Sequence, residues 1–303
     1  NYHQFFISQL NQTEQDFKSL INKYGVKDLF NQDLFKKLEV EKFQSILIDE
    51  VQDFESDWIK IIRDNFLSSD GEMVLFGDES QNIYERDNNR AAVIVQGFGE
   101  WKKLKHSYRT NIDSPLNQLF KDYQIRYLLE KYSDTDLFES SNIQAGMNFD
   151  VIKYHPCQPD WENECFAKIQ EYIRTYNFVP NDVVILSSNI FLVRRLNEKF
   201  LQDEKTICMF ESYGELAPLL SGCNGFNKEK LKTLTEMELR DIISRYGLIN
   251  RIEAIRRAKK NHFYLNSGLI KLSTVHSFKG LEAKTVFYIM DDKDTPEIVY
   301  TSI

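Results

Sequence analysis

Apolar residues fall in alternating helical and strand-like patterns along this chain. Near the start, Phe17, Leu20 and Ile21 sit at i, i+3 and i+4, and Leu29, Leu34 and Leu38 continue an interrupted apolar pattern. That period predicts helices over residues 1–42. Residues 43–49 read as a strand, with Ile46, Leu47 and Ile48 apolar at consecutive positions. An unbroken apolar run suits a strand buried on both faces, as in a parallel sheet. Residues 55–67 return to the helical period, with Ser56 or Asp57 as the expected N-cap. Ser68-Ser69-Asp70-Gly71 reads as a turn, and Met73–Phe76 as a second buried strand stopped by Gly77-Asp78. Strand, helix, strand in this order predicts a βαβ unit and hence a parallel sheet.

The pattern resumes further along. Residues 116–132 read as a polar-aromatic helix. The stretch from Ser133 to Gly146 is rich in turn formers and predicts a domain boundary, with domains over 1–140 and 141–303. Phe149–Ile152 reads as a strand, 160–176 as a helix, Val183–Leu186 as a buried strand and 191–201 as a helix. Residues 226–261 read as helices with short breaks, within a small helical insert over about 205–262. Leu269–Thr274 and Thr285–Met290 read as strands. The fold class expected is α/β, with two domains of similar architecture.

Composition narrows the function classes. The 303 residues suffice for two ordinary domains, and a hydrophobic fraction of 42% supports a real core. A net charge of −8 argues against a basic, whole-surface nucleic-acid binder. A narrow basic groove stays compatible with that total, because binding follows local charge. The four cysteines, Cys157, Cys165, Cys208 and Cys223, are scattered, so neither a zinc site nor a disulfide framework is expected. No run of about 18 apolar residues predicts a membrane span. With no secretory signal pattern either, a cytoplasmic setting is expected. The chain opens on Asn1, which predicts a trimmed polypeptide.

Four stretches carry chemistry. The first strand ends in Asp49 and Glu50, with Asp53 close behind. Ligands in parallel sheets bind at the carboxyl ends of strands. Adjacent carboxylates repel, and a divalent cation relieves that repulsion. Asp49 is therefore a candidate Mg²⁺ ligand and Glu50 a candidate base for a water. The second strand ends in Gly77-Asp78-Glu79-Ser80-Gln81-Asn82-Ile83-Tyr84, where Gly77 is expected to ease a turn. A neutral amide such as Gln81 suits water orientation or phosphate contact. Tyr84 is a candidate stacking platform or an ordinary half-buried core tyrosine. In Ser107-Tyr108-Arg109, Arg109 suits a charge developing on a phosphoryl group, and Tyr108 suits stacking on a base. Finally, Ser273-Thr274-Val275-His276-Ser277-Phe278-Lys279-Gly280-Leu281-Glu282 reads as a polar loop between strands. Lys279 and Gly280 suit phosphate, and Glu282 suits ribose hydroxyls. His276 reads equally as a structural hydrogen bonder. Arg251, Arg256, Arg257, Lys259 and Lys260 form a basic helical stretch, either a solvated face or a set of phosphate contacts.

In this order, these stretches resemble superfamily 1 DNA helicases of the UvrD/Rep/PcrA type. Residues 48–53 resemble motif II, the Walker B segment. Residues 77–84 resemble motif III, 107–109 motif IV and 273–282 motif V. The resemblance implies two RecA-like domains, their parallel sheets flanked by helices, with an ATP cleft between them. It implies Mg²⁺ at Asp49, water activation by Glu50, and coupling of the terminal phosphate to DNA through Gln81. Tyr108 would stack on adenine, Arg109 would contact the γ-phosphate, and Gly280 and Glu282 would hold nucleotide. Tyr84, Thr274 and His276 would lie along single-stranded DNA, with Lys279 beside them.

Departures matter as well. The phosphate-cradling G-x-x-x-x-G-K-[ST] loop of the family is expected before Asn1, and the motif VI arginine after Ile303. These residues alone are thus not expected to hydrolyse ATP efficiently. Arg86 stands where the family usually has a stacking Trp, so the strand is expected to be gripped differently. The short distance from Leu186 to Thr274 leaves no room for a large accessory domain. The function expected is an ATP-dependent helicase or translocase motor on single-stranded or partly duplex DNA, with a protein partner possible. The alternatives are a non-motor nucleotide-binding switch or scaffold in a defence or regulatory complex, or an RNA-directed helicase.

Overall fold

The computed structural model describes residues 1–13, 15–26, 28–84, 97–99, 101–102, 115–132, 152–157, 160–203, 206–221, 226–265 and 268–303. The chain divides into two units, Asn1–Asp113 with Lys121–Gly146, and Ser114–Phe120 with Met147–Ile303. The predicted boundary at 133–146 and strand residues 149–151 lie outside the described residues. Ile152 is described and is not in a strand.

The first unit begins with helices α1 (Tyr2–Leu10) and α2 (Phe17–Tyr24) and a 3₁₀ turn at Leu29–Asn31. Helix does not continue through Leu34 and Leu38, contrary to the apolar pattern; both instead pack from irregular chain against the core. Strand β1 (Phe43–Ile48), helix α3 (Ser56–Phe66) and strand β2 (Leu67–Leu75) follow, and the two strands pair in parallel. The α3 N-cap is Glu55, one residue before Ser56 and two before Asp57, the expected caps, and it caps without a side-chain hydrogen bond. Ser68–Gly71 is not a free turn. It is an irregularity inside β2, since Phe43 pairs with Leu67 but Ser45 pairs with Glu72. A Cβ on Gly71 would lie 2.8 Å from the Gln44 carbonyl oxygen, so the bulge needs glycine for its close approach.

The core of this unit is aromatic. Tyr2 stacks on Trp58 at 4.5 Å between ring centroids, and its hydroxyl donates to the Phe30 carbonyl at 2.8 Å. Phe6 meets Phe30 and Phe35 edge-on, and Phe35 meets Phe66 likewise. Helix α3 supplies Trp58, Ile59, Ile62 and Phe66 to this cluster from one face, as its period requires. The expectation that both strands are buried on both faces fails. Ile48 is buried and Ile46, Met73 and Leu75 pack against the core, while Leu47 is 69% exposed and Val74 and Phe76 are exposed too.

The second unit is built on a four-stranded parallel sheet in the order β4-β5-β3-β6, from Thr206–Cys208, Ile270–Thr274, Val183–Ser187 and Thr285–Ile289. Every residue of the central β3 is buried, as its unbroken apolar run predicts. Helix α4 (Pro115–Tyr123) belongs to this unit as far as Phe120, while its end and the π-helical turn at Gln124–Leu128 belong to the first; α5 spans Trp161–Thr175, and α6 spans Ile190–Asp203. Helices α7 (Tyr213–Leu220), α8 (Lys228–Thr233), α9 (Glu236–Arg245) and α10 (Ile249–Phe263) hold a small apolar cluster of their own, which includes Tyr213, Leu216, Leu231 and Leu239. The expected loop after β5 is in fact one helical turn, α11 (Val275–Phe278). Helix α12 (Pro296–Ser302) follows β6.

A buried ion network joins α6 to α9 and α10. Arg194 on α6 is 1% exposed and donates to the fully buried Glu211 carboxylate. Its other amine reaches Glu236 of α9 at 2.6 Å. Arg256 of α10 grips the same Glu211 through two bonds of 2.6 and 2.7 Å, and Lys259 pairs with Glu215 at 2.6 Å. Burial pushes the Glu211 carboxyl up, but the Arg256 bonds and the charge of Arg194 outweigh it and hold the group below its usual range. The basic stretch is thus neither a plain solvated face nor a uniform phosphate track. Arg256 and Lys259 hold the fold, whereas Arg251, Arg257 and Lys260 are exposed.

Two of the scattered cysteines lie close together. Cys157 and Cys165, eight residues apart in sequence, bring their sulfurs to 3.4 Å as free thiols. Among the described residues, no helix is long and apolar enough to cross a membrane.

Candidate functional site

The carboxyl ends of β1 and β2 bring two of the sequence stretches together. The Phe76 amide donates to the Ile48 carbonyl at 2.8 Å, and the Val51 amide donates to the Phe76 carbonyl at 2.8 Å. These bonds set Asp49-Glu50 beside Gly77-Asp78. Asp49 is exposed, and its Oδ1 accepts from the Glu50 amide at 2.9 Å. Glu50 has φ 54° and ψ 44°, the left-handed region. A non-glycine residue there costs on the order of 1–3 kcal/mol, and such residues concentrate at functional sites. The 3₁₀ turn Val51–Asp53 starts from this conformation, closed by the Asp53 amide donating to the Glu50 carbonyl at 2.9 Å.

Gln52 connects the two strand ends. Its side chain is buried, at 2% exposure. Nε2 donates to Glu50 Oε2 at 2.5 Å, and Oε1 accepts from the Asp78 amide at 3.0 Å. Gly77 makes room for this. A Cβ there would lie 2.7 Å from Val51 Cγ1 and 2.9 Å from Gln52 Oε1. Gly77 therefore serves close approach rather than an unusual turn; its φ is not positive.

The next turn is organised by Asp78. Its carboxylate accepts from the Ser80 amide and from Gln81 Nε2, each at 3.0 Å. Burial raises the Asp78 carboxyl above its usual range. The nearby Glu50 charge adds to that rise, and the bonds from Gln81 and Ser80 oppose it. Gln81 is thereby linked to Glu50 through three hydrogen bonds, by way of Asp78 and Gln52. Tyr84 closes this stretch at 45% exposure, so its ring is only half-buried. Arg86, Tyr108 and Arg109 lie outside the described residues.

In the second unit, the fourth stretch follows the carboxyl end of β5. Thr274 is buried, and its hydroxyl caps α11 by accepting from the Ser277 amide at 3.3 Å. His276 and Lys279 are half-buried, and Gly280 and Glu282 are exposed. Gly280 has φ 80° with nothing within 4 Å of a Cβ, so glycine is needed there for backbone conformation and not for space.

Residues 1–96 match the UvrD/REP helicase N-terminal domain family. The chain carries a UvrD-type superfamily 1 helicase segment. The match takes in Asp49, Glu50, Gln81 and Tyr84. No curated protein matches the chain.

The sequence reading of this UvrD-type segment passed over Gln52, although it lies inside the motif II stretch. The signal was a neutral amide two residues past a carboxylate, which becomes informative only once its partner at Asp78 is known. Mg²⁺ keeps several waters and is held through one or two carboxylates together with substrate phosphates. An exposed Asp49 at a strand's carboxyl end fits that sparse mode. Among the described residues, no group of three or more His, Cys, Asp or Glu side chains is placed to hold a metal.

Proposed function

We propose that this chain is part of the motor of an ATP-dependent DNA helicase or translocase, coupling ATP hydrolysis to movement on single-stranded DNA. The observation that carries the reading is the left-handed Glu50 beside Asp49, wired through Gln52 and Asp78 to Gln81 at the ends of two parallel strands. A strained carboxylate held by buried partners is preorganised to take a proton from water. Asp49 would hold Mg²⁺, which when bound would neutralise phosphate charge. Gln81, released from Asp78, would reach the terminal phosphate or the attacking water.

The rest of the site belongs to the same proposal. Tyr108, Arg109, Gly280 and Glu282 would hold the nucleotide. Tyr84, Arg86, Thr274, His276 and Lys279 would meet the strand, the buried Thr274 mainly by shaping its turn. Residues 1–140 would contribute the C-terminal part of the first RecA-like domain, and 141–303 the second.

The test is ATP turnover by the natural full-length polypeptide, with and without single-stranded DNA, beside its Glu50→Gln variant. Single strands should stimulate turnover. The variant should lose about 10²–10⁴-fold, the usual contribution of a general base, while still binding ATP. Turnover indifferent to single strands, or a variant within a few fold of the parent, refutes the reading.

A further inference from the structure

The Gln52 amide has a fixed orientation. A carboxylate can only accept, so the end facing Glu50 must be the NH₂ donor; a backbone N–H can only donate, so the end facing Asp78 must be the carbonyl. Both ends are satisfied, at 2.5 and 3.0 Å, and the side chain is buried. No other neutral side chain of this length offers one donor and one acceptor in the same plane. Gly77 closes the space around the amide, leaving 2.9 Å between Gln52 Oε1 and a Cβ at that position.

We infer that Gln52 is a positioning residue, whose amide clamps the Glu50 carboxylate at one end and the Asp78–Gln81 turn at the other. The inference rests on the reading of Glu50 as the water-activating base. Glu50 needs such a clamp because its backbone lies in a sparsely populated region, which persists only where the surroundings determine it. The same amide makes the placement of Glu50 depend on the Asp78 turn. Gln81 bonds the Asp78 carboxylate while the clamp holds the Asp78 amide, so both meet at one residue. Gln52 touches neither nucleotide nor water in this role and acts only through Glu50.

The test uses the natural full-length polypeptide and four variants: Gln52→Met, Gln52→Glu, Glu50→Gln, and Glu50→Gln with Gln52→Met. Methionine fills the same space without donating to Glu50. Glutamate keeps the acceptor for the Asp78 amide, and with it the turn, and removes the donor when ionised. Steady-state kcat and KM for ATP are measured with single-stranded DNA present, and thermal unfolding reports folding. Both Gln52 variants should lose about 10- to 100-fold in kcat, the scale of a displaced catalytic group, with KM within about threefold. In the Glu50→Gln background, Gln52→Met should change the residual turnover by less than about twofold, because nothing remains for the clamp to position. A Gln52→Met variant that folds and keeps kcat within about twofold overturns the inference. So does a Gln52→Met loss that multiplies undiminished onto Glu50→Gln, which marks general structural damage. If Glu50→Gln itself keeps full turnover, the base reading falls and takes the clamp with it. If Glu50→Gln is inactive while Gln52→Met is silent, the clamp alone falls.

Discussion

Glu211→Gln is the sharpest stability probe in the molecule. Glutamine keeps the shape of the side chain but removes the charge shared by Arg194 and Arg256, and it presents an NH₂ donor to one guanidinium. Arg256 has a side chain 39% exposed and can turn toward water, so it loses little. Arg194 is buried and cannot. It keeps Glu236 at 2.6 Å and the Glu211 carbonyl at 3.2 Å, which soften the loss. Breaking one partner of a buried pair costs about 3–5 kcal/mol, and the remaining contacts of Arg194 place this case near 3 kcal/mol. For a unit of this size that lowers Tm by about 6–12 °C. Thermal and urea unfolding followed by circular dichroism measure it. A companion variant, Arg194→Met with Glu211→Leu, removes both buried charges and should be markedly more stable than Glu211→Gln, because no charge is left buried without its partner. A Glu211→Gln loss under about 0.5 kcal/mol, or a double variant worse than the single, refutes the reasoning. The pH dependence has a definite sign. Glu211 is held below its usual range in the fold, so its contribution is complete above the unfolded carboxylate value of about 4.3 and is lost as pH falls through the lower folded value.

Further outcomes follow from single contacts. Gly77→Ala puts a Cβ 2.7 Å from Val51 and 2.9 Å from Gln52; it should cost about 1–3 kcal/mol in denaturant unfolding and lower ATP turnover, whereas wild-type stability would remove the close-approach argument. On helix α10, Arg256→Ala should destabilise, while Arg257→Ala and Lys260→Ala should stay within about 0.5 kcal/mol of the parent. If those exposed cations meet phosphate, each loss should reduce the slope of log affinity against log salt for single strands, by about 0.7 per contact. Burial pushes the Cys165 thiol up to about 12, with the Cys157 contact adding to the rise. Iodoacetamide at neutral pH, read by peptide mass spectrometry, should therefore label the exposed Cys157 well before Cys165, and equal rates would contradict the burial.

Much of the fold was legible because secondary structure is a local property of the chain. Runs such as Val183–Leu186 announced a buried strand, and the periods at 55–67 and 160–176 announced helices. The Asp-Glu pair after an apolar run, and Gly-Asp-Glu-Ser-Gln after another, were visible as candidate chemistry for the same reason: strand ends are where parallel sheets bind ligands. Other features needed the third dimension. Nothing local distinguishes Ser68–Gly71 as a turn from the same residues looped out of a strand, since that depends on the partner's register. Leu47 and Val74 look as buried as their neighbours until the position of the core decides which face is covered. Arg256 and Lys259 read like Arg257 and Lys260 until Glu211, just before α7, and Glu215, in its first turn, arrive beside them. Cys157 and Cys165 are brought together by the path of the chain into α5. The same holds at the candidate site. Sequence alone determined that Asp49, Glu50 and Gln81 are present at strand ends. Only the tertiary structure placed Gln52 between Glu50 and Asp78, because that bond spans 26 residues and exists only once β1 and β2 lie side by side.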